Sequence, residues 1–397
     1  MIILLTFYCL IRIYRNTFLV TEVAGGIWNI ITLFFLFLAC IVLIGLKKSK
    51  YRFPNCVKIG LGYAFFALIH SLINIKTLSV ASVYDFLMIP YFIAVVIVFF
   101  VFSQNTITDS ERKVTTASFY IVLLMALYSF FLYRSGQISQ PVVSDIYYPL
   151  CLLPFVLMWG NKKTIQIPII LMALGLLFSG KRAGVLAFII AVTLYYLLLS
   201  FQDRKVKKFF KTFISFILLS IILVQLYNYT NSIYNFQTLE RLQRITMLDL
   251  QDGSGSRYAI YKSVLEGLEE SSLLEWIIGH GDKSVSREVN IGSLAHNDFL
   301  EIIYDYGLLP FILFVLFYFS LTIEFLRMMK KKYQHSAAFA VSLIISFFLS
   351  MFSYNMIFFA SVTCTSAFWG VVLADWFRYK HQLTHQKGNR SNDAIIQ

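Results

Sequence analysis

Runs of about 20 apolar residues recur along most of this chain, and a helix of that length crosses a hydrocarbon core of about 30 Å. No water reaches that core, so the backbone must satisfy its own hydrogen bonds as helices or as a closed barrel. A barrel needs short alternating strands, whereas the apolar stretches here are continuous. Of the 397 residues, 58% are hydrophobic and 14% charged; a soluble domain carries about 25% charge. The fold class is therefore an all-α polytopic integral membrane protein. The first eleven residues are apolar but lack a basic leader and a small-residue cleavage site, so they read as a first span and not a removed signal.

The pattern predicts about 12 transmembrane helices, at 1–14, 24–46, 56–75, 84–103, 114–133, 142–160, 164–179, 183–201, 209–228, 299–322, 337–355 and 358–377. Helices one to nine then occupy 1–228, a large loop with short helices occupies 229–298, and helices ten to twelve occupy 299–378. A polar tail, 379–397, reads as a disordered end. Alternate short loops are basic: Lys47, Lys48, Lys50 and Arg52; Arg112 and Lys113; Lys162 and Lys163; Arg204 to Lys211; Arg327 to Lys332. The positive-inside rule puts these loops and both termini in the cytoplasm and the long loop outside. The high pI of about 9.4 is thus a topology signal facing anionic lipid, which excludes a nucleic-acid groove. The five cysteines lie in spans or at their ends, and neither a disulfide framework nor a cysteine metal site follows.

The loop at 229–298 holds six of the 34 Lys+Arg, two of the six His and ten of the 21 Asp+Glu. Being net acidic, it offers its arginines as individual positions and not as a basic surface. Arg257 follows Ser254 and Ser256, which suit a helix N-cap, and Tyr261, Val264, Leu265 and Leu268 share one helical face. A cation in a first helical turn opposes the helix dipole. Two readings stand: Arg257 awaits an anion, or it pairs with a loop acid. Before the eighth span, Ser179-Gly180-Lys181-Arg182 puts two cations on the side the topology rule depletes. They read as an anion site at a helix start or as snorkelling anchors.

Glu275 to Asp282 looks like a buried strand or turn ending in Gly279-His280-Gly281. The glycines would let backbone approach a phosphate, and His280 would otherwise be an exposed turn residue. His296 is the strongest candidate. Asn297 and Asp298 beside it suit a helix N-terminus, which would fix an imidazole at the outer interface, able to take a proton from a hydroxyl near neutral pH. The plainer alternative is an interfacial or capping histidine. Glu301 and Asp305 follow within the apolar run, where an ionisable group is a functional hypothesis by default. His70 and Asn74, at the end of the third span, are weaker candidates of that kind. No His-Glu-x-x-His, Gly-x-x-x-x-Gly-Lys-Ser/Thr or Gly-x-Ser-x-Gly occurs. The first outer loop carries only Glu22, not the paired acids of a metal-dependent lipid-sugar transferase, so no metal and no cofactor is expected.

Together, Ser179-Gly180-Lys181-Arg182, Ser256-Arg257, Gly279-His280-Gly281 and His296-Asn297-Asp298-Phe299-Leu300 with Gly307 resemble the O-antigen polymerase and O-antigen ligase superfamily of bacterial envelope glycosyltransferases. The resemblance covers about 179–310 by motif and the rest by topology. It implies a lipid-facing cavity in the bacterial inner membrane and an undecaprenyl-diphosphate-linked glycan as donor, passed whole to an acceptor. Mapped by motif, Arg182 and Arg257, with Lys181, would bind the diphosphate. His296 would be the catalytic or acceptor-positioning histidine, supported by Asn297, Tyr261, His280 and Asp305. An aromatic normally follows the helix arginine as Trp; here Tyr261 takes that place. Partners would be the lipid-linked donor and acceptor, membrane lipid and a chain-length regulator. Within that resemblance polymerase is favoured, with ligase as the alternative and a lipid-linked oligosaccharide flippase as a second alternative, which the long loop and cation-depleted span centres disfavour.

Overall fold

The computed structural model describes residues 2–18, 21–45, 47–74, 86–105, 107–137, 142–160, 165–179, 181–203, 225, 257–289, 294–353 and 361–393. The ninth expected span, 209–228, lies almost wholly outside the described residues. Among the described residues there are helices and no strand. Along the chain they are α1 (Ile2–Phe18), α2 (Thr21–Leu43), α3 (Asn55–Ile73), α4 (Tyr91–Phe102), α5 (Asp109–Arg134), α6 (Tyr147–Trp159), α7 (Gln166–Ser179) and α8 (Arg182–Asp203). The later ones are α9 (Arg257–Glu270), α10 (Leu273–Ile278), α11 (Asp298–Tyr306), α12 (Leu308–Lys330), α13 (Ser336–Phe352) and α14 (Val362–Asp393). Among the described residues, four segments are long and apolar enough to cross a membrane: Asn55–Ile73, Asp109–Tyr133, Ala183–Phe201 and Leu308–Lys330. Shorter apolar helices pack among them.

Two helices form the centre. Every residue of α4 from Tyr91 to Val101 is buried, as is every residue of α6 from Tyr147 to Met158. A helix apolar all round has no polar face to give to water, so it sits inside other helices. α14 crosses α4 so closely that a Cβ on Gly370 would lie 2.6 Å from the Val96 carbonyl oxygen. Small residues permit such approaches, which drive association where lipid removes the hydrophobic difference between helices. On the periphery, α3 packs on α12 and α8 on α13, and outer apolar residues such as Leu124 and Phe319 are left to lipid.

Several boundaries differ from the sequence reading. The fourth span is interrupted at Pro90, which caps α4 because its ring cannot continue a helix. α5 begins five residues early, at Asp109. Thr108 and Glu111 form a reciprocal capping box there that hydropathy does not register. The single span expected at 299–322 is two helices, α11 and α12, broken at Gly307 with φ 83°. In place of the buried strand or turn expected over Glu275 to Asp282, helix α10 occupies the stretch up to Ile278, started by a capping box between Ser272 and Glu275, and Gly279 ends it. The tail beyond 378 continues α14 as helix to Asp393. Its first turns are tied down, since Arg378 pairs with Asp375 and Lys380 lies over the Phe377 ring.

Candidate active site

Two glycines standing back to back build the corner of the site. Gly279 (φ 74°) ends α10, and Gly307 (φ 83°) separates α11 from α12. A Cβ on Gly279 would lie 2.3 Å from the Asp305 carbonyl oxygen, and one on Gly307 2.3 Å from that of Ile277. No side chain fits between these backbones. The His280 N–H donates to the Tyr304 carbonyl at 3.0 Å, and the Gly281 N–H to that of Asp305 at 2.8 Å. The Gly279 N–H closes α10 on Glu275. These three amides are therefore spent inside the protein. This corrects the phosphate-cradle reading of Gly279-His280-Gly281, which is a packing motif. Helix α3 braces the same corner. His70 Nδ1 is 2.5 Å from the Tyr306 carbonyl, and Asn74 Nδ2 donates to the carbonyls of Ile278 and Gly279 at 3.3 and 3.2 Å.

His280 is not an exposed turn residue. Its ring stacks on Tyr304 with centroids 4.2 Å apart and planes at 8°, its Nε2 meets Ser271 Oγ at 2.8 Å, and its Nδ1 lies 3.4 Å from Glu288. Asp305 is fully buried and accepts the Lys283 and Val285 amides at 2.7 and 3.3 Å. Burial, reinforced by Glu301 and Asp282, pushes its carboxyl well above the ordinary carboxylate range. Both side chains hold the polar segment on α11. Helix α9 packs here through Ile260, Val264 and Leu268, with Val285, Ala295 and Tyr304 completing a small core. The inward face expected at 261, 264, 265 and 268 is thus turned: Leu265 is half exposed and Ile260 takes its place.

His296 sits beside this core at the entrance to α11. Its backbone is left-handed, φ 55°, a conformation uncommon for any residue but glycine and maintained by its surroundings. Before it, the Ala295 N–H donates to Glu301 Oε2 at 2.8 Å. At His296 itself the carbonyl accepts the Tyr261 hydroxyl at 3.4 Å. After it, Asn297 caps α11, with Oδ1 accepting the Phe299 and Leu300 amides at 2.9 and 3.2 Å. Asn297 and Tyr261 therefore fix the backbone at and after His296. Sequence reading noted Glu301 only as an intramembrane acid. Its place is now specific: it is fully buried, and its Oε1 has no hydrogen-bond partner among the described residues.

Burial pushes the Glu301 carboxyl up to about 8, against the Ala295 amide and helped by Asp298 and Asp282. Its folded value lies above the ordinary 4.5, so the folded protein binds the extra proton, and stability falls as pH rises from 4.5 through about 8. Glu301→Gln keeps an acceptor for Ala295 and removes that titration. Melting temperatures of wild type and variant should converge near pH 5 and diverge by about 5 °C near pH 8, with the variant higher. Parallel pH profiles would exclude a buried titrating Glu301.

Arg182 and Arg257 are each the first residue of a helix, α8 and α9, as their sequence contexts predict. Their side chains lie outside the described residues. Backbone connections nevertheless place both at one end of the bundle. Tyr147 lies at Gly184 and Leu157 at Tyr195, so α6 and α8 run parallel. His335, which precedes α13, bonds the Met158 backbone at the other end of α6. The start of α8 therefore shares an end with the finish of α13. There the Tyr261 hydroxyl donates to the Met351 carbonyl at 3.3 Å. Lys181 precedes Arg182 in the same turn, half-buried, with its N–H on Ser179 Oγ at 3.3 Å. Two helix starts bearing arginine thus lie toward the same end of the bundle as His296, and a helix N-terminus suits an anion. Among the described residues no cluster of His, Cys, Asp and Glu has metal-site geometry.

Residues 167–315 match the protein-family model described as O-antigen ligase. The matched stretch runs from α7 into α12 and contains Arg182, Arg257, His296 and the Gly279–Gly307 corner. No curated protein matches the chain. Members of the family are membrane enzymes acting on lipid-linked glycans. Over residues 167–315, this chain is similar to the O-antigen polymerase and ligase superfamily.

Proposed function

We propose that the protein is a polysaccharide polymerase, joining undecaprenyl-diphosphate-linked repeat units at the outer face of the bacterial inner membrane. The observation that carries this reading is the convergence of Arg182, Arg257 and His296 at one end of the bundle, inside the family-matched stretch. The reaction is a single displacement. An acceptor sugar hydroxyl attacks the anomeric carbon of the donor and loses its proton to His296, the glycosidic bond forms, and the bond to the lipid diphosphate breaks. Anomeric configuration inverts. Charge developing on the diphosphate is stabilised by Arg182 and Arg257, with Lys181 beside them, in a site of low dielectric. Arginines take the place of a divalent cation, so chelator should leave the rate unchanged.

A planar guanidinium grips phosphate through two parallel bonds, which an ammonium cannot reproduce. Arg257→Lys is therefore expected to lose about tenfold or more of the rate while keeping the charge. The decisive assay supplies purified protein in proteoliposomes with lipid-linked repeats and no nucleotide. Ladders of longer glycan on lipid diphosphate identify a polymerase. Ligase is the second reading, favoured by the description of the matched family. It predicts that glycan appears only when a lipid A core acceptor is present. Movement of lipid-linked repeats across the bilayer without a new glycosidic bond would overturn both.

A further inference from the structure

At the opposite end of the bundle from His296, two cavities share one wall. The larger, about 420 Å³, lies between the start of α5, the α12–α13 turn and α14, and is lined by Arg112, Lys332, His335, Asp375 and Arg378. The smaller, about 240 Å³, runs between α5 and the α6–α7 turn and adds Lys113, Tyr120 and Ile165. Arg112 and Trp159 line both.

The larger cavity has an excess of fixed positive charge. Its one acid, Asp375, is already engaged by the Tyr333 hydroxyl and by Arg378. Arg378 also donates to the Asn105 carbonyl at 2.6 Å, which anchors the guanidinium on the cavity wall. Among the described residues, the Arg112 side chain makes a loose ion pair, 3.5 Å to the exposed Asp109. Lys332 occupies a left-handed cap position, φ 52°, at the end of α12. The cations also act on His335, which burial and then Arg112 and Arg378 hold down at about 4. The ring is therefore neutral near pH 7, and the field it senses is positive.

The surroundings select the kind of anion. The cavity lies where helices begin and end, the depth of lipid headgroups. Its lining includes the partly exposed Trp159 and Tyr379, aromatic types that settle at a membrane interface. The adjoining slot is more apolar, as an acyl chain requires, and basic pockets between membrane helices are suited to phospholipid headgroups. We propose that the paired cavities bind the phosphate of an anionic glycerophospholipid, with Arg112 and Lys332 as ligands and the slot beside Tyr120 receiving the start of an acyl chain. This site is separate from the donor site and would hold the α5, α12 and α14 ends together.

The test uses full-length protein in vesicles of equal phosphatidylglycerol and phosphatidylcholine. The protein is extracted in mild detergent, and tightly retained lipid is quantified. Wild type should retain phosphatidylglycerol preferentially. Arg112→Gln combined with Lys332→Gln should retain about tenfold less, the loss expected for removing charge-assisted bonds. Arg52→Gln, an exposed basic residue outside both cavities, should match wild type. Equal retention of the two lipids by wild type overturns the proposal, as does full retention by the double variant or an equal loss in Arg52→Gln. Wild type extracted in excess inorganic phosphate gives a reading that needs no variant to fold. Phosphatidylglycerol should stay bound, and its complete displacement would mean a site for free phosphate, ending the lipid assignment.

Discussion

His296→Asn is expected to lower glycan transfer by about 100-fold or more, the usual loss when a proton acceptor or preorganised electrostatic contact leaves an active site. Asparagine is the informative replacement because position 296 is left-handed, φ 55°, and asparagine tolerates that backbone better than most residues. The helix cap at Asn297 and the Ala295–Glu301 bond do not involve the imidazole, so α11 should still form. Asparagine keeps hydrogen-bonding groups but cannot accept a proton near neutral pH. A rate within threefold of wild type, measured as glycan length per unit time in proteoliposomes, would remove His296 from the chemistry. Arg182→Ala and Arg257→Ala should fall by a similar factor, with protein reaching the membrane in normal amount.

Gly307→Ala should produce the largest structural effect. The new Cβ would meet the Ile277 carbonyl and the Gly279 amide, both backbone. Neither can swing aside as a side-chain tip would. The residue must also hold φ 83° with ψ −174°, a region open almost solely to glycine. Backbone strain and overpacking together should cost about 3 kcal/mol or more. The visible outcome would be release of the polar segment from α11. Limited proteolysis near 283–289 should accelerate, and activity should vanish although the spans still insert. A variant as resistant as wild type would show that the Gly279–Gly307 contact is dispensable. Gly45→Ala is the control: φ is also positive, 84°, but nothing lies within 4 Å of the new Cβ.

Much of the architecture was legible from the chain itself, for a simple reason. In lipid the backbone must bond internally, so an apolar run of sufficient length is a helix whatever its neighbours do. The starts of α8 and α9 at Arg182 and Arg257 were legible too, because small and hydroxyl residues precede them in the sequence and such residues favour a helix start. Breaks inside apolar runs were harder. Pro90 and Gly307 both interrupt spans that hydropathy reads as continuous. Whether a glycine bends a helix or merely sits in it depends on what approaches it, here the Gly279 backbone.

The candidate site divides along the same line. Residue types and order singled out Arg182, Arg257 and His296 as candidates, Arg257 because a net-acidic loop places a cation at a helix start, Arg182 because it stands on the side the topology rule depletes of cations, and His296 because it sits at the mouth of a span. They also marked His280, Asp305, His70 and Asn74, whose partners the fold alone reveals. His280 is paired with Tyr304, Asp305 with two amides, and His70 and Asn74 with carbonyls of the corner. A polar side chain has one appearance in a sequence whether it meets substrate or backbone. The sequence by itself determined the membrane helices and the polar segment that departs from them, because those follow from local hydropathy and spacing. Only the tertiary structure decided which polar groups are spent on holding that segment. Hydrogen-bond satisfaction joins residues far apart in the chain, and no local pattern encodes it.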